Sequence, residues 1–360
     1  METMKVSTMA SMMKAYVLNA IGDLRLTEVP KPTPAAGEVL LRIAACGVCG
    51  SDIPRIYTKG TYRFPTIPGH EFSGYVEAVG KDVDAGLIGR LAAVFPLLPC
   101  RKCPSCEVGS YATCSAYDYR GSRSDGAFAE YVCVPAWNLI PAPEGLGAEE
   151  AAMAEPAAVA LHALRRGGLD IGDNVLISGA GPIGLLLAQW AQAWGASQVL
   201  LADVDDRKLA FAKQLGFDQV ANPLLEDLQA WALERTGGAG VDLAVEGAGH
   251  ASSWENCLRA ARSGGRVVLM GNPTGTMTLT QTGYWEMLRK QLTVVGTWNS
   301  DYSDFPKNEW KLAVQAMAER RIQALPLITH LVSLEQLGEA IAMMKDHSAF
   351  YSKVMWTNTK

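Results

Sequence analysis

The chain has 360 residues, enough for two domains with cores of their own, and a formal net charge of −5 without basic blocks, which sets aside nucleic acid and anionic membranes as partners. The first twelve residues hold four of the thirteen methionines but no apolar stretch of signal-peptide type, so the eight cysteines are expected as reduced thiols of a cytoplasmic protein. Met13, followed by Lys-Ala-Tyr-Val-Leu, reads as the natural start, with residues 1–12 an extension ahead of it.

From Met13 to about residue 160, short β-rich runs alternate with glycine and proline: Ala15–Leu18, Glu38–Ile43, Gly74–Val79, Leu91–Phe95 and Phe128–Val134. Strands spaced this way predict a partly open β-barrel-like domain. Inside it, Cys100, Cys103 and Cys106 follow a CxxCxxC pattern, with Cys114 after seven more residues. Two-residue spacings turn neighbouring thiolates onto one tetrahedral ion, and four thiolates with no open position describe a structural zinc site. An iron–sulfur cluster uses similar spacing, though nothing else in the chain suggests electron transfer. Near Glu149 the pattern changes to an alanine-rich helix, Glu149–Leu164.

A strand at Asn174–Ser178, a turn Gly179-Ala180-Gly181-Pro182-Ile183-Gly184, a helix over Leu185–Trp194 and a strand Gln198–Ala202 make a βαβ unit. Gly179 permits the tight turn, Gly181 admits a pyrophosphate to the backbone, and Gly184 lets helix and strand pack closely. Pro182 and Ile183 begin the helix, whose N-terminus favours phosphate. Asp203, about 20 residues on, stands where a ribose-binding acid belongs. Residues 174–202 carry no charge and are long enough to span a bilayer, but their glycines, proline and glutamines fit a buried βαβ unit better. Further strands at Gln219–Ala221, Val241–Glu246, Arg266–Met270 and Leu292–Gly296 predict a six-stranded doubly wound Rossmann sheet, α/β in class. The C-terminal helices Glu309–Glu319 and Leu334–Lys345 and a last strand Ser352–Trp356 are expected to return to the first domain. The expected division is 13–160 with 301–360, and 161–300.

Gly69-His70-Glu71-x-x-Gly74 with Gly80 and Val83, the cysteine lobe and the GAGPIG turn, in this order, resemble the zinc-dependent medium-chain alcohol and polyol dehydrogenases from Met13 to about Val354. The resemblance implies a GroES-like catalytic domain beside the Rossmann domain, NAD, and two zinc ions per chain. It implies a catalytic zinc on Cys49, His70 and Glu155, with Glu71 beside the metal. Ser51 would carry the substrate proton and Asp52 would support the site. Where simple alcohol dehydrogenases have a cysteine this chain has Glu155, which points to polyols. Many members continue the proton relay with a histidine five residues after the ligand cysteine; here Pro54 stands there, so water or Glu71 would take over.

The wording at Ser51–Ile56, Pro96–Cys100, Tyr117–Tyr131 and Leu288–Trp298 is closest to members acting on sugar alcohol phosphates such as galactitol 1-phosphate. Arg55, Arg123 and either Arg289 or Lys290 are candidates for the phosphate. Asp203 and Asp206 favour NAD over NADP, against the contrary charges of Arg207 and Lys208. A homodimer or homotetramer is expected. Three rivals stand: a dehydrogenase of unphosphorylated polyols or diols, a quinone reductase-like member without catalytic zinc, and a non-catalytic NAD- or metal-binding sensor. His162, His250, His330 and His347 read as packing or surface residues, and Cys46, Cys133 and Cys257 as buried thiols.

Overall fold

Strand Glu38–Val48 is apolar almost throughout, and the computed structural model, which describes residues 11–304 and 306–358, buries it on both faces. Along one edge it pairs antiparallel with Glu71–Val79; the other edge is shared between Tyr131–Pro135 and the C-terminal strand Lys353–Thr357. These strands belong to a seven-stranded sheet in which segments some 300 residues apart are neighbours. The C-terminal strand thus returns to the first sheet, as expected. Strand Asp23–Pro30, half exposed and charged, gives little sequence signal; it pairs with Met12–Ala20. The proposed extension at residues 1–12 lies, but for its last two residues, outside the described ones.

The second sheet has six parallel strands in the order Val220–Ala221, Gln198–Ala202, Asn174–Ser178, Val241–Glu246, Ala261–Leu269, Thr293–Gly296. Numbered by chain position this is 3-2-1-4-5-6, the dinucleotide-binding order, whose ligand crevice opens where the order reverses, between Asn174–Ser178 and Val241–Glu246. The uncharged run 174–202 is strand, helix and strand, and no helix of the described residues is long and apolar enough to cross a membrane.

The expected single helix Glu149–Leu164 is two, Ala148–Ala152 and Ala154–Arg166, broken at Met153. Pro156 has no N–H to give the carbonyl of Ala152, so the first helix stops there and Glu155 falls in the first turn of the second. That second helix, mostly buried alanine and leucine, lies in a core cluster that runs from Ala44 and Phe95 to Val175, Val245 and Trp310. Small side chains let its neighbours approach: the indole of Trp190 donates to the carbonyl of Ala157 at 3.0 Å. Tyr302 stacks on Phe95 with centroids 4.3 Å apart, joining the stretch after the last Rossmann strand to the first sheet.

The glycine turn is tight. Gly179 has φ +114°, and a Cβ on Gly184 would lie 1.8 Å from the carbonyl oxygen of Gly179. Gly184→Ala is therefore expected to push helix and strand apart and cost about 1–3 kcal/mol of stability. Urea unfolding measures this, and a midpoint equal to that of the unsubstituted chain would contradict it.

Candidate metal and cofactor site

After strand Glu38–Val48 the chain turns through Cys49, Gly50 and Ser51 into a short helix. The carboxylate of Asp52, wholly buried, holds this turn: Oδ2 accepts from the backbone N–H of Cys49 at 3.0 Å, and Oδ1 accepts from Nη1 of Arg55 at 2.5 Å. The same Oδ1 lies 3.5 Å from Nδ1 of His70, leaving Nε2 as the ring nitrogen for a metal. Burial raises the pKa of Asp52, but His70 and then Arg55 outweigh it and hold the carboxyl below its usual range. Burial lowers that of His70, yet Asp52 and Cys49 raise it well above the usual imidazole range. Surroundings this negative favour a cation.

Cys49, His70 and Glu71 each offer one ligand atom, all within 4.8 Å of one another. Glu71 is almost fully buried; its Oε2 accepts from Nζ of Lys353 at 2.6 Å, while Oε1 is buried without a hydrogen-bond partner. An orphaned carboxylate oxygen beside a thiol and an imidazole fits a zinc ion.

The acidic member of this cluster is thus Glu71, expected only beside the metal; Glu155, expected as the third ligand, is not in the cluster. The hydroxyl of Tyr119 donates to Oε1 of Glu155 at 3.1 Å. Glu155 still belongs to the neighbourhood. Burial pushes its pKa up to about 7, with His70 opposing and Glu71 adding to the rise. The sequence does not single out Tyr119 or Lys353. Lys353 had one signal, a lone charge opening the apolar strand Lys353–Thr357. Burial lowers its pKa, but Glu71 and Cys49 more than compensate and keep it above the usual lysine range. Ser51, part-exposed, stands before the short helix without capping it.

The ligand atoms of Cys100, Cys103, Cys106 and Cys114 also lie within 4.8 Å of one another, with Sγ of Cys100 4.0 Å from Sγ of Cys106. Four sulfurs at 2.3 Å around zinc stand about 3.8 Å apart, so the lobe fits the ion with little adjustment. All eight cysteines are free thiols; Cys46 and Cys257 are buried as expected, while Cys133 is only partly so. A third cluster, His162, Asp301 and Glu309, is already satisfied by protein donors. Glu309 accepts from Arg165 at 2.7 Å and from the N–H of Asp301 at 2.5 Å, and lies 3.0 Å from Nδ1 of His162. His162 is thus part of a buried polar network with Glu309 and Arg165, where a packing or surface residue was expected.

At the glycine turn, a Cβ on Gly181 would meet nothing within 4 Å, so the space a pyrophosphate needs is open. Asp203 accepts from the N–H groups of Ala180 at 2.8 Å and Asp205 at 2.9 Å, one on each oxygen, which orients the carboxylate and leaves lone pairs for a ribose diol. Arg207 is bound bidentately by Asp205, and Lys208 lies 3.6 Å from Asp203. Of the arginines proposed for the substrate, Arg55 is engaged by Asp52. Arg123 stacks over Tyr62 and Tyr117, at 3.9 and 4.5 Å from the ring centres, and its Nε is buried without a partner. Arg289 lies over Trp285, and Lys290 bonds to Glu286 and to the carbonyl of Arg259.

The zinc-binding dehydrogenase profile matches residues 182–319, and that of the alcohol dehydrogenase GroES-like domain matches residues 35–144. The chain is 38% identical over 333 residues to galactitol 1-phosphate 5-dehydrogenase of Escherichia coli (strain K12), covering 91% of this chain and 95% of that one. It belongs to the zinc-binding dehydrogenase family. This dehydrogenase is also 32% identical over 328 residues to sorbitol dehydrogenase of Arabidopsis thaliana, covering 89% and 88% of the two chains. The crystal structure of galactitol-1-phosphate dehydrogenase from Escherichia coli superimposes with a TM-score of 0.90 at 37% identity, covering 96% of this chain and all (100%) of that one. The protein is a zinc-dependent polyol dehydrogenase that acts on CH–OH with NAD(P).

The two cysteine-containing sites differ in openness, so their losses should differ. Mass spectrometry of the native dehydrogenase is expected to give two zinc ions per chain, falling to one in Cys49→Ala with the fold retained and turnover abolished. Cys103→Ala is expected chiefly to lower the melting temperature. A full metal complement in Cys49→Ala would contradict this assignment.

Proposed function

We propose that this dehydrogenase oxidises a phosphorylated hexitol, galactitol 1-phosphate first, at the C5 hydroxyl to the keto-sugar phosphate tagatose 6-phosphate, with NAD as the hydride acceptor. The observation that carries the substrate reading is Arg123. Two tyrosine rings fix its plane and its Nε is buried without a partner, in the stretch whose wording is closest to sugar alcohol phosphate enzymes. A planar guanidinium held this way can grip a phosphate through parallel hydrogen bonds. The similarity to galactitol 1-phosphate 5-dehydrogenase supports the same substrate.

Zinc at Cys49, His70 and a glutamate would supply Lewis acidity that lowers the pKa of the substrate hydroxyl, and nicotinamide would accept the hydride. The chain's own residues do the rest. Asp52 fixes the loop of Cys49 and the ring of His70, and Ser51 takes the substrate proton. With Pro54 in the place of a relay histidine, the proton leaves through water or Glu71. NAD is preferred because Asp203 would accept from the ribose diol and Arg207, the charge best suited to a 2′-phosphate, is tied to Asp205.

The cytoplasm suits eight free thiols. A homodimer is supported by exposed Tyr284, Trp285, Leu288 and Trp298 on and after helix Gln281–Arg289, next to the sheet-edge strand Thr293–Gly296. Light scattering is expected to give a multiple of the chain mass, and Trp298→Glu to reduce it; a monomer at micromolar concentration would remove this reading.

A panel of galactitol 1-phosphate, galactitol and sorbitol with each cofactor tests the activity. The phosphate ester with NAD is expected to exceed free polyols by about a hundredfold in kcat/KM, the worth of a few kcal/mol from one charge-assisted contact. Arg123→Ala is expected to raise KM for the ester alone. Equal efficiency on sorbitol would make the protein a dehydrogenase of free polyols, and equal use of NADP would remove the cofactor preference.

A further inference from the structure

We propose that Lys353, together with Gly47, is a positioning residue of the catalytic metal site: it holds Glu71 by one oxygen and so keeps that carboxylate from closing the coordination position a substrate needs. The inference rests on the reading of Cys49, His70 and Glu71 as a metal site.

The side chain of Lys353 is only 3% exposed, and its Nζ donates to Oε2 of Glu71 at 2.6 Å and to the carbonyl of Val48 at 3.3 Å. Val48 immediately precedes Cys49, so one ammonium ties the carboxylate to the strand end that delivers the thiolate. The contact depends on register. Gly47 faces Glu71 across one edge of its strand and Met355 across the other. A Cβ at position 47 would sit 2.3 Å from Oε2 of Glu71 and 3.4 Å from Cδ of Lys353. The acid and the base meet in the space of the missing side chain.

A carboxylate buried this deeply needs a cation. With Lys353 in place it has one, and a bound metal would keep Cys49, His70, the single free Oε1 of Glu71 and room for a substrate oxygen. Without Lys353 the nearest cation is the metal, and Glu71 turns to it with both oxygens free. The site then binds metal more tightly and substrate less well.

The test compares Lys353→Met, Lys353→Arg and Gly47→Ala with the unsubstituted protein. The readouts are metal content, the rate of metal loss to a chelator, the absorption spectrum with cobalt exchanged into the catalytic site, and KM and kcat separately. Changes to residues supporting metal ligands typically alter affinity or activity by about 10–100-fold. Lys353→Met and Gly47→Ala are expected to shift the cobalt spectrum, slow metal loss about tenfold or more, and raise KM for the alcohol by more than they lower kcat. Lys353→Arg is expected to keep the native spectrum. Adding Glu71→Gln to Lys353→Met should return KM toward that of Glu71→Gln alone, because an amide needs no counter-ion.

Should Lys353→Met fail to fold, Gly47→Ala and Lys353→Arg carry the same comparison. A lower melting temperature with spectrum, metal loss and KM unchanged would make the pair structural and overturn the inference alone. Absence of a second metal from the unsubstituted protein would overturn the reading of the site and the inference with it.

Discussion

The carboxylate of Asp52 is the tie on which the metal site depends. It has no exposure to water, yet it binds the backbone of Cys49 and the guanidinium of Arg55 and stands beside the ring of His70. A lone buried carboxylate would be strongly unfavourable, and losing one partner of such a pair costs about 3–5 kcal/mol. This one is stable because three groups from two segments converge on it. The same convergence sets the geometry of a thiol and an imidazole some twenty residues apart in the chain.

Around that tie, buried charge is arranged in pairs. Glu71 is matched by Lys353 and Glu155 is held by Tyr119, so two acids next to one metal position have different environments. One is ion-paired and within ligand distance; the other is raised to about 7 by burial and held by a phenol. The break before Pro156 brings Glu155 to the neighbourhood, because a continuous helix would give its backbone a different course.

The cofactor side follows a different logic, in which backbone and space matter more than charge. Gly184 and Gly179 allow a strand and a helix to meet at a distance no side chain permits, and the gap above Gly181 is left for phosphate. The 3-2-1-4-5-6 strand order then opens the crevice beside that turn. Hydride transfer needs these two halves to face each other, and the core cluster around helix Ala154–Arg166 is continuous between them.

What the sequence by itself determined was whatever is encoded at short range. The four cysteines of the lobe, the glycine turn and the acid at Asp203 are legible because each depends on spacings of a few residues or on one βαβ unit, and local geometry follows from them. The alternation of strands with helices fixed the parallel sheet for the same reason. The strand Asp23–Pro30 was not legible, because its half-exposed, charged surface lacks an apolar period. Which acid stands within ligand distance was decided only by the tertiary structure. Glu71 and Glu155 are 84 residues apart, and their surroundings differ through Lys353 and Tyr119, which arrive from other strands and follow no motif. The same holds for Arg55 and Arg123: neither is marked by a motif, and only packing sets one against Asp52 and the other between two tyrosines. A buried charge takes its meaning from its partner, and partners are chosen by the fold.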